Sequence, residues 1–217
     1  MLQIHPNFLS DKWLGKLLSG IDNMNADWLF KAVKTNQAEH PVYTKNNPFG
    51  MMESIKSEIA IKRSLQEKAF TYKFSRTTPH HESCSCFFCD FKENLLDTTN
   101  FKRFIKAKME LENDLYLYET FISVYEPGDF LSAHTDATRG VAFIFNLTPD
   151  WRPEYGGCLT VKQEDKLVVY PPTFNSLTLM GLENGQGITH YVSEVSKYAH
   201  RPRIAITGWF NEKEPNE

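Results

Sequence analysis

The 217-residue sequence has no apolar run approaching the roughly 18 residues that a membrane-spanning helix needs. Its start, Met1-Leu2-Gln3-Ile4-His5-Pro6, lacks the basic region and apolar core of a secretory leader. A mature, soluble, cytoplasmic protein with no membrane partner is therefore expected. An excess of positive charge is missing too: 24 Lys and Arg against 27 Asp and Glu leave a net charge of −3. No overall field attracts nucleic acid, and none is expected as a partner, although a local basic patch is still allowed. Cysteine is scarce and poorly placed for a secreted disulfide framework. Of four, Cys84, Cys86 and Cys89 crowd together and Cys158 stands alone. Internal repeats and low-complexity tracts are absent as well.

What is present is the composition of a globular domain, with 41% hydrophobic, 13% aromatic and 24% charged residues. A chain this long buries roughly 70% of its unfolded surface, enough for a real core. Ser10 is placed to cap a helix over 10–21, in which Trp13, Leu14, Leu17, Leu18 and Ile21 recur at helical spacing. Residues 27–33 read as a short strand or helix, and the polar run from Lys34 to Asn47 reads as a loop. A second helix covers Met51 to Gln66, with Ile55, Ile59, Ile61 and Leu65 partly on one side. Alternation of Phe70, Tyr72 and Phe74 with polar residues then marks a strand.

Residues 76–92 have the oddest local composition. Cys84, Cys86 and Cys89, with His80 or His81, have the ligand chemistry for zinc, but the spacing is irregular. The plainer reading is three reduced thiols among Phe87, Phe88 and Phe91; a loop of this length beside a site would also serve as a lid. Thr98, Thr99 or Asn100 caps a third helix that ends near Glu112-Asn113.

From Leu115 onward the periodicity becomes β-type, over 115–126, 129–136, 140–147, 157–162, 166–170, 174–179, 188–193 and 203–210. Turns such as Glu126-Pro127-Gly128-Asp129 and Glu154-Tyr155-Gly156-Gly157 separate these runs. Such punctuation favours a sandwich or jelly roll over a βαβ sheet. The expected class is mainly β with N-terminal helices (α+β). Residues 1–114 form an elaboration packed on a 115–210 core, and 211–217 form a polar, frayed tail, in one continuous domain.

Period-two alternation puts His134 and Asp136 on one strand face, and His190 lies on a later run that also reads as a strand. Two neutral imidazoles and a carboxylate can occupy one face of an octahedral metal, the facial triad of non-heme Fe(II) oxygenases. Arg203 opens the last strand, with Ala205 and Thr207 on its own face and Ile204 and Ile206 on the other. A guanidinium directed into an apolar barrel needs an anion, and the distal carboxylate of a dicarboxylic cosubstrate fits its two-pronged fork. Thr207 and Tyr125 are each placed to add a hydrogen bond. His200 and Arg201 compete with Arg203 for this role but read as loop residues.

Residues from about Tyr116 to Phe210 resemble the 2-oxoglutarate- and Fe(II)-dependent oxygenases and, within them, the prolyl-hydroxylase-like branch. The resemblance is carried by Val124-Tyr125-Glu126-Pro127-Gly128-Asp129-Phe130, His134-Thr135-Asp136, Asn146-Leu147-Thr148-Pro149-Asp150-Trp151, Tyr155-Gly156-Gly157-Cys158-Leu159, Pro171-Pro172-x-Phe174-Asn175, His190-Tyr191-Val192 and Arg203 to Phe210. It implies a double-stranded β-helix core flanked by helices, Fe(II) on His134, Asp136 and His190, and 2-oxoglutarate between the iron and Arg203. O2 is the other cosubstrate, and ascorbate a candidate reductant. Tyr125 aligns with a Tyr near 2-oxoglutarate. Asn146 stands where prolyl-hydroxylase relatives often place a second Tyr, and can still donate a hydrogen bond.

The implied reaction is hydroxylation of an unactivated C–H bond, first of a prolyl residue in a protein or peptide, and next of a free amino acid or small metabolite. Asp136 argues against halogenation, since related halogenases need a small residue there. A nucleic-acid dealkylase would carry a second arginine beyond Arg203, and none follows. A non-catalytic metal-binding β-barrel would have no use for Arg203.

Overall fold

The computed structural model describes residues 1–36, 39–42, 50–78, 84–136, 140–181 and 187–212, with only the backbone described at 26, 40–42 and 50–54. His80, His81, residues 182–186 and the tail from 213 lie outside the described residues.

Strand β1 (Leu2–His5) precedes helix α1 (Asp11–Asp22), whose cap is Ser10, its hydroxyl accepting from the Trp13 amide. A single 3-10 turn over Ala26–Trp28 leads into β2 (Leu29–Lys34), so the ambiguous 27–33 stretch is mostly strand. The expected loop from Lys34 to Asn47 contains β3 (Glu39–Val42), a correction. Among the described residues β3 pairs only with β2, and such an edge position tolerates its Pro41 and polar neighbours. Helix α2 (Gly50–Gln66) turns Ile55, Ile59 and Leu65 outward and buries Ile61 and Ser64.

After β4 (Tyr72–Thr77), the 76–92 segment is not all loop: α3 (Phe87–Phe91) lies in it and runs into one π-type turn. Helix α4 (Thr99–Met109) is capped by Thr98, whose hydroxyl accepts from the Phe101 amide. It stops at Glu110, which adopts a left-handed conformation, a few residues before the expected end.

The C-terminal strands fall where the alternation puts them: β5 (Leu115–Tyr125), β6 (Phe130–His134), β7 (Val141–Asn146), β8 (Leu159–Gln163), β9 (Lys166–Tyr170), β10 (Ser176–Gly181), β11 (His190–Val192) and β12 (Arg203–Glu212). β12 continues two residues past Phe210.

All strands belong to one curled antiparallel sheet in the order β1-β10-β7-β12-β5-β4-β6-β11-β8-β9, with β2 and β3 added beside β4. This is the jelly-roll arrangement, a curled sheet with helices on its outside. β4, from the first half of the chain, bridges β5 and β6 and so joins the two walls.

Alternation gives the β10-β7-β12-β5 wall two different faces. Phe143, Phe145, Leu177, Leu179, Ile206 and Phe210 point outward and pack with Leu17, Phe88, Phe91, Phe101 and Ile105 of the helices. Each such fully buried side chain is worth about 1.5–3 kcal/mol in apolar burial. Truncating Phe143 to Ala would cost about 3–5 kcal/mol. The opposite face carries Phe121, Tyr125, Ala142, Ile144, Arg203 and Thr207 and looks into a cavity of about 680 Å³.

Candidate active site

His134 ends β6 and His190 begins β11, and the two are direct partners across that antiparallel pair. Opposed residues share a face, so their rings meet, with centroids 4.2 Å apart. Asp136 lies two residues beyond His134. One carboxylate oxygen is 3.7 Å from Nε2 of His134, and the other is 3.7 Å from Nε2 of His190. The three ligand atoms all lie within 4.8 Å of one another.

Both imidazoles are fixed from behind by backbone. Nδ1 of His134 is 3.0 Å from the Ser132 carbonyl, and Nδ1 of His190 is 2.8 Å from the Ile188 carbonyl. A carbonyl can only accept, so Nδ1 carries the proton and each neutral ring directs an Nε2 lone pair toward Asp136. Phe70 stacks on the His134 ring at 4.5 Å. Burial pushes His134 down to about 4; neighbouring His190 adds to this and Asp136 opposes it. A proton therefore competes with a metal for that ring only in acid well below neutrality.

The second cavity element is Arg203, opposite Tyr125 across β12 and β5. It is only 3% exposed, and burial lowers its pKa. Its guanidinium lies 5.1 Å from the Tyr125 ring centroid, and Nη2 donates to the Asn146 side-chain carbonyl at 3.3 Å. Nε is buried without a hydrogen-bond partner, and no carboxylate pairs with this guanidinium among the described residues. Burial raises the Tyr125 phenol, opposed by Arg203, so it remains a protonated donor.

Gly157 allows the chain to pass beside this arginine. Its φ is +62°, and a Cβ there would sit 3.1 Å from Cδ of Arg203 and 3.2 Å from Cγ2 of Val195.

His134, Asp136, His190, Arg203, Tyr125 and Thr207 thus line one cavity. Thr207 also shares a 3.2 Å hydrogen bond with Ser123. Asn146 is placed differently: its amide nitrogen donates to Ser176 at 3.1 Å while its oxygen accepts from Arg203. That amide orients the arginine and does not line the cavity. Arg201 donates to His200 at 3.0 Å, and neither residue reaches the cavity.

Two features went beyond the sequence expectation. Trp209, to which the sequence reading gave no role at the site, donates from Nε1 to Asp136 at 3.0 Å and fixes one carboxylate oxygen. Alternation from Arg203 already placed Trp209 on the cavity face. Elsewhere on the cavity lining, Arg76 donates to Glu39 at 2.6 Å and to Glu119 at 3.4 Å, and Tyr72 hydrogen-bonds Glu39. No sequence pattern joins positions 39, 76 and 119, because β2 and β4 bring them together only in the folded sheet.

Residues 120–211 match the family model described as the 2OG-Fe(II) oxygenase superfamily. This match supports a 2-oxoglutarate-dependent dioxygenase that uses Fe(II), 2-oxoglutarate and O2. A search of curated proteins gives no match.

Among solved structures, a Pseudomonas putida prolyl-4-hydroxylase superposes with a TM-score of 0.60 at 18% identity, covering 98% of this chain and 93% of that one. A Trichoplax adhaerens prolyl hydroxylase, solved with a hypoxia inducible factor oxygen degradation domain peptide, gives 0.65 at 17% identity, covering 97% and 83%. A 2OG-Fe(II) oxygenase family oxidoreductase from Burkholderia pseudomallei gives 0.63 at 10% identity, covering 98% and 86%. These likenesses fix the fold: a jelly roll with flanking helices.

The oxygenase's required groups fit the residues present. Two inward imidazole nitrogens and one carboxylate suit Fe(II) while leaving half of an octahedron open. The buried Arg203, with an unsatisfied Nε, suits the far carboxylate of a dicarboxylate.

Proposed function

We propose that this oxygenase hydroxylates a prolyl residue in a protein or peptide, with His134, Asp136 and His190 holding the iron and Arg203 holding 2-oxoglutarate. The observation that carries the site assignment is the shared cavity: three metal donors at one place and a buried guanidinium without a protein anion at another. The overall change is R–H + 2-oxoglutarate + O2 → R–OH + succinate + CO2. When bound, iron with its cosubstrate supplies the oxidising chemistry.

This chain's residues do the positioning. Ser132 and Ile188 carbonyls fix the imidazole tautomers, and Trp209 fixes the Asp136 carboxylate. Arg203, oriented by Asn146, receives the distal carboxylate beside the Tyr125 phenol. Phe74, Phe121, Ile144 and Leu159 exclude water around it.

The prolyl assignment rests on likeness to prolyl hydroxylases across nearly the whole chain, one of them solved with a peptide. A specific observation favours a second reading, hydroxylation of a free amino acid. The Glu39, Arg76 and Glu119 cluster offers both signs of charge inside the cavity, matched to an ammonium and a carboxylate on one small molecule.

Substrate-stimulated succinate formation separates the two readings. The iron-loaded enzyme is presented in parallel with proline-containing peptides and with free amino acids, and products are checked by mass for one added oxygen. Stimulation by peptides alone supports the prolyl reading. Stimulation by free amino acids alone replaces it with the second.

A further inference from the structure

Outside the cavity, a second cluster of ligand-type side chains plays no part in the reaction above. Cys84, Cys86 and Cys89 lie between β4 and α4, and their sulfur atoms are all within 4.8 Å of one another. No disulfide joins them. Cys86 caps the first turn of α3, its sulfur accepting from the Cys89 amide at 3.4 Å, while Cys89 is buried beside Phe88 and Phe91.

We propose that Cys84, Cys86 and Cys89 bind one divalent ion of the zinc class as three thiolates, distinct from the iron of the oxygenase reaction. The ion clips the turn that carries Phe88 and Phe91 into the core.

Geometry supports a single ion. Zn–S bonds of about 2.3 Å in a tetrahedron put sulfurs about 3.8 Å apart, a spacing that small side-chain rotations would reach from the observed cluster. A disulfide would draw only two sulfurs together, to about 2.05 Å, and leave the third without a role.

The protonation pattern agrees. Hydrogen bonds from Cys86 hold Cys84 below the ordinary thiol range, whereas burial pushes Cys89 up to about 12. Burial, with the neighbouring thiols, thus disfavours a negative charge on Cys89. A dication reverses that balance, and binding it would expel the remaining thiol protons. The donor sets also sort the metals: sulfur-rich and compact here, nitrogen and oxygen with open positions in the cavity. Water or another donor completes the fourth corner.

The clip would reach the active site through shared walls. Phe88 and Cys89 line a depression of about 440 Å³ together with Arg76, Glu119 and Phe121, and those last three residues also line the main cavity. Holding α3 in place holds one bank of that approach.

The test uses the full chain produced with zinc, with metal content measured after mild chelation and again after exchange into cobalt. We expect about one zinc per chain, resistant to the chelator. The cobalt form should show sulfur-to-metal charge-transfer absorption, which nitrogen and oxygen ligands do not give. Both signals should vanish in Cys84→Ser and Cys89→Ser and persist in Cys158→Ser and His134→Ala. Since Cys89 is buried, Cys84→Ser carries the test should Cys89→Ser not fold. Absence of the sulfur band from cobalt-loaded wild-type protein, three freely titrating thiols in metal-loaded protein, or a disulfide among the three by mass spectrometry would each overturn the proposal.

Discussion

The cavity's two ends are built alike and left incomplete in opposite senses. Each rests on residues directly opposed across an antiparallel pair, His134 with His190 at one end and Arg203 with Tyr125 at the other. At the first end, two lone pairs and a carboxylate converge with no cation among the described residues. At the second, a guanidinium is buried with no carboxylate partner among them. Each unmet group costs stability on its own, since buried charge needs a counter-charge.

On the proposed reading, a dication at one end and a dianionic cosubstrate spanning to the other bring the total to neutrality. The fold thus prepares both halves of one charge pattern before its ligands arrive.

Removing the first end should have the largest effect. Asp136→Ala or His134→Ala should lower 2-oxoglutarate turnover by about three orders of magnitude or more, about 4 kcal/mol in transition-state terms. Circular dichroism should remain that of the folded protein, because neither residue belongs to the main core. Retained turnover in both variants would remove the triad assignment.

Next comes the other end. Arg203→Ala should raise the 2-oxoglutarate KM about 30-fold, about 2 kcal/mol, with much less effect on iron affinity. Arg203→Lys should rescue only part of this, because a point charge cannot reproduce the planar fork. An unchanged KM in Arg203→Ala would move the cosubstrate anchor elsewhere.

Most of the frame was legible because β-type runs between turns mark the strands even where both faces are buried, as in β7, while alternation along β6 and β12 states which side each residue takes. The same rule put His134 with Asp136 and Arg203 with Thr207. It failed where a strand has little to bury. β1 is only Leu2 to His5 and, among the described residues, pairs with β10 alone, and β3 carries Pro41 at an edge. α3 was hidden because its five residues, mostly Phe and Cys, are too few to show a helical period. Asn146 was placed correctly on its strand, but no spacing states which way an amide turns. Here its oxygen meets Arg203 and its nitrogen meets Ser176. The Glu39–Arg76–Glu119 cluster depends on three distant segments meeting, which a one-dimensional pattern does not carry.

The smallest expected effect separates holding a metal from orienting the group that holds it. Trp209 donates to Asp136 at 3.0 Å from the same β12 face that carries Arg203, so one strand serves both ends. Trp209→Phe keeps most of the aromatic packing against Phe121 but removes the indole N–H. A carboxylate that loses its orienting donor should bind iron about 10-fold more weakly, the lower end of what such supporting partners contribute. The 2-oxoglutarate KM measured at saturating iron should barely move, since Arg203 is untouched. Titrating the apo-protein with Fe(II) under anaerobic conditions and measuring that KM separately distinguishes the two effects. A loss confined to 2-oxoglutarate would place the role of Trp209 in packing beside Arg203. Unchanged iron affinity would mean that the two backbone-fixed imidazoles are enough to orient the site without it.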